Sequence, residues 1–117
     1  MTSGMSTAGL RLEQAPPLSV PASFFVTAPL SLIAAGVLLT LGGSPLLWTR
    51  FAGGTAALVH LGALGFLASV MLGALYQMLP VVAGAPVPAV RVAHAVHAGL
   101  VCGLGALATG LAWSSRA

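Results

Sequence analysis

Three histidines are the residues of this chain whose chemistry stands out. His60 lies inside the uncharged stretch "ALVHLGALGFLASVMLGALYQMLP", residues 57–80, and His94 and His97 follow three residues apart. An imidazole binds metal or haem iron or exchanges a proton, and in hydrocarbon it needs a partner. The spacing of His94 and His97, with Arg91 three residues earlier, places these side chains on one face of a helix.

The other titratable residues limit the chemistry to what a cofactor supplies. Glu13 is the sole carboxylate and there is no Asp, which excludes paired-carboxylate catalysis and a Ser/His/Asp triad. The glycines form no phosphate-binding loop. Cys102 is the only cysteine, and in its apolar run we interpret it as a packing residue. We therefore do not expect a self-contained enzyme.

The composition indicates the elements that position these side chains. Of 117 residues, 58% are hydrophobic and 4% are charged, whereas a soluble domain has about 25% charged residues. The mean hydropathy is +1.06. We predict an all-α integral membrane protein, in contact with the lipid bilayer and with other membrane helices. Four scattered arginines do not form a nucleic-acid surface and are better interpreted as topology markers.

Three apolar runs predict three membrane-spanning helices, at residues 24–41, 55–79 and 89–113. Residues 1–23 contain three prolines and are predicted to form a mobile, interfacial N-terminal segment, with 114–117 as a short tail. Pro80 is expected to close the second helix, with Tyr76 near headgroup level. Trp48 beside Arg50 is typical of a membrane interface.

The arginines give little information about orientation. Three helices place the termini on opposite sides, with Arg11 and Arg91 on one side and Arg50 and Arg116 on the other. Each side thus has two arginines, and the positive charge of the terminal amine favours a cytoplasmic N-terminus. We expect a multi-pass protein of the bacterial inner membrane in this orientation.

Small residues at four-residue spacing predict close helix contacts, because lipid gives helices no hydrophobic drive to associate. One such column lies in the second helix and two lie in the third: Gly65, Ser69 and Gly73; Ala95, Gly99 and Gly103; Ala98, Cys102, Ala106 and Gly110. These columns predict either packing within the chain or association with other chains, as a homo-oligomer or in a larger complex.

The histidines cannot share one metal within a single chain. With a turn near Gly84, His60 is displaced from His94 and His97 by about 16 to 21 Å along the helix axes. His60 is then either a haem ligand or a neutral ring bonded to a carbonyl or hydroxyl of a neighbouring helix. His94 and His97 form either a weak metal-binding pair or a polar, partly hydrated helix end.

One part of the sequence resembles a known family. The second transmembrane helix of haem–copper oxidase subunit I, particularly in the nitric oxide reductase branch, and the NnrS family of haem- and copper-containing membrane proteins are similar to residues 60–80. The matching residues are His60, Gly65–Phe66, Gly73–Ala74, Tyr76 and Pro80. The lead-in "PPLSVPASFFVTAPL" resembles the approach to the first helix of oxidase-like bacterial proteins.

The resemblance implies a haem b with His60 as one axial ligand. It covers only the first three helices of a larger family subunit, so the second ligand must come from another chain. Leu61 stands where the family often has a small hydroxyl residue, and His94 and His97 match no family ligand. The stripe that would line a haem slot reads equally well as ordinary helix packing: His60, Leu64, Leu67, Met71, Leu75 and Met78.

Three hypotheses follow from the sequence. The first is a haem-binding or electron-transfer-related membrane subunit. The second is a cofactor-free packing or assembly subunit of a larger complex. The third is a fragment of a longer oxidase-like subunit without a function of its own.

Overall fold

The computed structural model describes residues 9–114, which fold entirely into helices and connecting turns. Three long helices follow one another, namely α1 (Ser19–Gly42), α2 (Gly53–Ala83) and α3 (Val90–Ser114). Each is long and apolar enough to cross a membrane. Short 3-10 turns at Leu12–Gln14 and Ser44–Leu47 precede α1 and connect it to α2.

The start of α1 differs from the sequence prediction. The helix begins at Ser19, so residues 19–23 belong to it and not to the N-terminal segment. Pro21 lies in the first turn, where a helix has no bond for a backbone N–H to make, so it does not interrupt the helix. Residues 1–8 and 115–117, with Arg116, lie outside the described range.

The end of α2 also differs from the prediction. The helix continues past Pro80 to Ala83 and ends at Gly84, which has a φ of 66°. This left-handed conformation suits glycine and lets the Ala85 N–H donate to the Pro80 carbonyl at 3.2 Å. The Arg11 N–H donates to the Val81 carbonyl at 3.0 Å, so the N-terminal segment caps the last turn of α2.

The middle of α2 is π-helical from Leu61 to Ala68, between α-helical segments Gly53–His60 and Ser69–Ala83. Its buried residues recur every four positions: Ala57, Leu61, Gly65, Ser69 and Gly73. A four-residue column drifts by about 40° per step around an α-helix of 3.6 residues per turn. The wider turns of the π segment offset this drift and keep the column on one face.

The two halves of α2 pack against different helices. The first half lies along α3, where Gly53 contacts Leu111, and the second half lies along α1. A Cβ added at Gly73 would lie 3.1 Å from Phe24 Cβ. The predicted small-residue column of α2 is therefore a packing face within the chain.

All three helices meet at Gly65. A Cβ added there would clash with Ser31 of α1 and would lie 2.9 Å from Cδ2 of Leu104 on α3. Ser69, one turn later, is fully buried. The absence of a side chain at Gly65 is thus what allows the helices to approach at this level.

The two small-residue columns of α3 face outward. All seven of their residues are exposed, including Cys102. At Gly99, Gly103 and Gly110 an added Cβ would meet nothing within 4 Å. Within residues 9–114 these columns make no close helix contact.

The described ends of the helices separate the charged residues as predicted. Arg11 contacts the end of α2, and Arg91 lies at the start of α3, a few residues later in the chain than that end. Arg50 lies in the α1–α2 connection at the opposite end, 4.9 Å above the ring of Phe51. The start of α2 contacts the end of α3, so Trp113 lies at the same end as Trp48 and Arg50. Both tryptophans are exposed.

Candidate functional site

His60 has a hydrogen-bond partner in its own helix. Its Nδ1 lies 2.7 Å from the carbonyl oxygen of Ala56, one turn earlier. A carbonyl only accepts, so we assign the proton to Nδ1, which leaves a lone pair on Nε2 of the neutral ring. The sequence analysis offered a carbonyl on a neighbouring helix as one possible partner of His60. The partner is a carbonyl, but it belongs to the same helix as His60.

The second nitrogen of His60 makes no hydrogen bond within residues 9–114. The ring is half-buried, at the last residue before the π segment. The π segment that follows spans eight residues. Nε2 of His60 keeps a lone pair that no residue in the range 9–114 uses.

The stripe predicted to line a haem slot faces outward. Every member after His60 is exposed, from 37% at Leu64 to 56% at Met71: Leu64, Leu67, Met71, Leu75 and Met78. It is therefore not ordinary packing between helices of one chain. It forms one apolar wall, and a slot needs a second wall from outside residues 9–114.

His97 is part of a cluster that joins all three helices. Its ring meets the edge of Phe24 on α1 with centroids 5.0 Å apart, and Phe24 stacks on Tyr76 of α2 at 5.5 Å. Phe24 is fully buried. Tyr76 is half-buried in this cluster and uses its ring for packing, a contact that the headgroup-level prediction did not include.

A hydroxyl on α1 fixes the protonation of His97. Thr27 Oγ1 lies 2.7 Å from His97 Nε2 and 2.9 Å from the Ser23 carbonyl oxygen. The hydroxyl has one proton, and the carbonyl can only accept. Both bonds form together when Thr27 donates to Ser23 and His97 Nε2–H donates to Thr27. His97 is therefore assigned the tautomer opposite to that of His60.

His94 and His97 lie in different surroundings. His94 is exposed in the second turn of α3, whereas His97 contacts α1. Within residues 9–114 no three His, Cys, Asp or Glu residues are grouped to hold a metal ion. The weak metal site at His94 and His97 stays a prediction, with His97 already bonded to Thr27.

His60 and His97 lie at different levels of the bundle. Gly53 contacts Leu111 and Gly65 contacts Leu104, so His60 lies opposite residues 104–111 of α3. His97 precedes Leu104 by seven residues, which is about 10 Å along a helix. The two imidazoles are therefore separate, in agreement with the sequence estimate.

No family model, curated protein or solved structure matches this chain. The resemblance to haem–copper oxidase subunit I therefore stays a prediction that depends on the residues from His60 to Pro80. The site is argued below from the geometry of its own side chains.

Sequence reasoning missed the cluster around His97. Thr27 and His97 are 70 residues apart, and no spacing rule connects them. The available signal was the column of hydroxyl residues at four-residue spacing on α1, Ser23, Thr27 and Ser31. Such a column in an apolar helix indicates the face that meets polar partners.

Proposed function

We propose that this chain is an integral membrane protein that crosses the bilayer three times. The three long apolar helices support this, as do the large apolar side chains exposed along all of them. In water such a surface would drive aggregation, whereas in lipid it needs no cover. Trp48, Arg50 and Trp113 at one end suit the headgroup region.

Within the membrane, we propose that the chain is a haem-binding subunit in which His60 would hold the iron of a haem b. The observation that supports this most is the 2.7 Å contact between His60 Nδ1 and the Ala56 carbonyl oxygen, from which the Nδ1–H tautomer is assigned. Metal-bound histidines donate their other ring N–H to a carbonyl or carboxylate, which orients the ring and raises the basicity of the ligating nitrogen. The contact of Nδ1 with the Ala56 carbonyl supplies this arrangement.

The donor set fits a haem that is shared with another chain. His60 supplies one nitrogen, and the outward stripe from Leu64 to Met78 supplies one apolar wall. The second ligand and the second wall come from another copy of the chain or from a larger membrane partner. Haem bound there would supply one-electron transfer, while Ala56 orients the ring and the stripe excludes water.

A second candidate function is a cofactor-free packing subunit of a larger membrane complex. The outward glycines of α3 favour it, because nothing lies within 4 Å of an added Cβ at Gly99, Gly103 or Gly110. A bare surface of this kind suits the close approach of a foreign helix. His60 would then use Nε2 only as a hydrogen-bond acceptor.

Haem titration of the purified chain in lipid distinguishes the two functions. We expect a Soret band that shifts on reduction, is lost in His60→Ala and is retained in the matched variants His94→Ala and His97→Ala. His97→Ala tests whether loss of packing alone removes the band. If the chain is folded and helical but stays colourless with added haem, the haem-binding function is excluded and the packing function is the one that stands.

A further inference from the structure

An open groove of about 430 Å³ lies beside the second half of α2. One wall is the face of α2 that carries Leu72, Leu75 and Leu79, and the other is the connection from Ala85 to Pro88. The lining is almost entirely aliphatic side chains and proline rings, with Tyr76 as its only aromatic residue. The groove opens at the end of the bundle where Arg11 and Arg91 lie.

The change of partners along α2 creates this groove. The helix α3 packs along the first half of α2 and meets α1 through His97, but it has no contact with Ser69–Ala83. The second half of α2 therefore keeps one face toward α1 and leaves the next face uncovered. The groove is a consequence of the way the helices cross.

The exposed side chain of Arg11 lies near the end of the groove that Ala83 and Ala85 line. The backbone of Arg11 is bonded to the Val81 carbonyl, and its side chain lies over Gly84. A Cβ added at Gly84 would lie 3.4 Å from Arg11 Cγ and 3.8 Å from its Nε. Both neighbours of Gly84, Ala83 and Ala85, line the groove. The Arg11 side chain thus passes over Gly84, between two residues that line the groove.

We propose that this groove binds an anionic phospholipid, with an acyl chain along the leucines of α2 and the phosphate at Arg11. A guanidinium forms two parallel hydrogen bonds to phosphate oxygens, which a zwitterionic headgroup satisfies only in competition with its own cation. Arg91, one turn beyond Pro88, adds positive charge at the same end. The proposal depends on the membrane part of the proposed function. The groove shares Leu75 with the outward stripe, but neither His60 nor the other stripe residues line it.

Charge decides between lipid and a second copy as the occupant. The described charges at this end are Arg11, Arg91 and the single carboxylate Glu13. A second copy would bring two further arginines and only one carboxylate to the same place, which disfavours its docking there. An anionic phospholipid brings the apolar chain and the negative charge together.

Native mass spectrometry from vesicles of phosphatidylcholine mixed with phosphatidylglycerol tests the site. We expect the full-length chain to retain phosphatidylglycerol preferentially. Arg11→Gln should reduce this preference about fivefold, whereas Arg50→Gln at the opposite end should leave it unchanged. Ala83→Trp should fill the groove and displace the lipid, with the exposed Ala95→Trp on α3 as its matched control.

Three results would overturn the proposal in distinguishable ways. Equal retention of the two lipids by the wild-type chain removes the anionic site. A lipid-free dimer that Ala83→Trp disrupts identifies a second copy as the occupant. A chain that stays in the aqueous fraction without vesicles removes the membrane proposal itself, and the lipid site with it.

Discussion

His60 and His97 are both histidines in apolar helices, but their hydrogen-bond partners lie in different places. The ring of His60 is bonded at Nδ1 to its own helix, and its Nε2 makes no hydrogen bond within residues 9–114. The ring of His97 is bonded at Nε2 to Thr27 of another helix and packs on Phe24. One imidazole is oriented without joining helices, and the other joins them.

The difference indicates how to distinguish histidines that bind a ligand from histidines that stabilise the fold in an apolar bundle. A histidine that joins helices stabilises the fold, and its loss should reduce stability. A histidine bonded only to its own i−4 carbonyl contributes little to stability, so its presence in hydrocarbon needs another explanation. Stability and protonation measurements therefore test the comparison independently of haem.

The largest effect is expected at Gly65, in the layer between the two imidazoles. Gly65→Ala adds a methyl group against Ser31 and Leu104, and such overpacking costs about 2 kcal/mol of unfolding free energy. Gly99→Ala is the matched control, since its methyl group enters open space. Denaturant unfolding in micelles should show the loss only for Gly65→Ala, and equal stability of both variants would contradict the packing described here.

An intermediate effect is expected for the bond between Thr27 and His97. A double-mutant cycle with Thr27→Val and His97→Phe keeps both shapes and removes the hydrogen bond. We expect a coupling free energy of about 1 kcal/mol, typical of polar contacts between membrane helices. Additive effects of the two substitutions would show that His97 contributes only its ring packing.

The smallest effect is expected for the stability of His60→Ala. Within the described residues its side chain makes one hydrogen bond, to its own helix. The unfolding free energy, measured by denaturant unfolding in micelles, should therefore change by less than about 0.5 kcal/mol.

Nitrogen NMR of labelled histidine sharpens the same comparison. His60 should appear as the Nδ1–H tautomer and His97 as the Nε2–H tautomer. The same tautomer at both positions would contradict the hydrogen-bond assignment.

The number and order of the helices follow from hydropathy, because length and apolar composition are local properties. The bounds are less accurate at the prolines. Pro21 and Pro80 predicted helix ends, yet a proline in the first turn loses no bond, and α2 continues for three residues past Pro80. Gly84, whose positive φ ends α2, was identified only as the centre of a turn.

The candidate site was predictable only in part. The position of His60 and its distance from His97 follow from counting residues along helices. The π segment does not, although the four-residue column from Gly65 to Gly73 was its signal. The contacts of Thr27 and Phe24 with His97 depend on how α1 and α3 are rotated about their axes, which hydropathy does not determine.

The division of α2 between two partners has a consequence for biogenesis. Because α1 and α2 leave the ribosome first, the second half of α2 can dock on α1 as a helical hairpin before α3 has been made. The helix α3 then packs along the other half of α2. The hydrogen bond of His60 can form at the hairpin stage, whereas the contacts of His97 with Thr27 and Phe24 form only after α3 has been made.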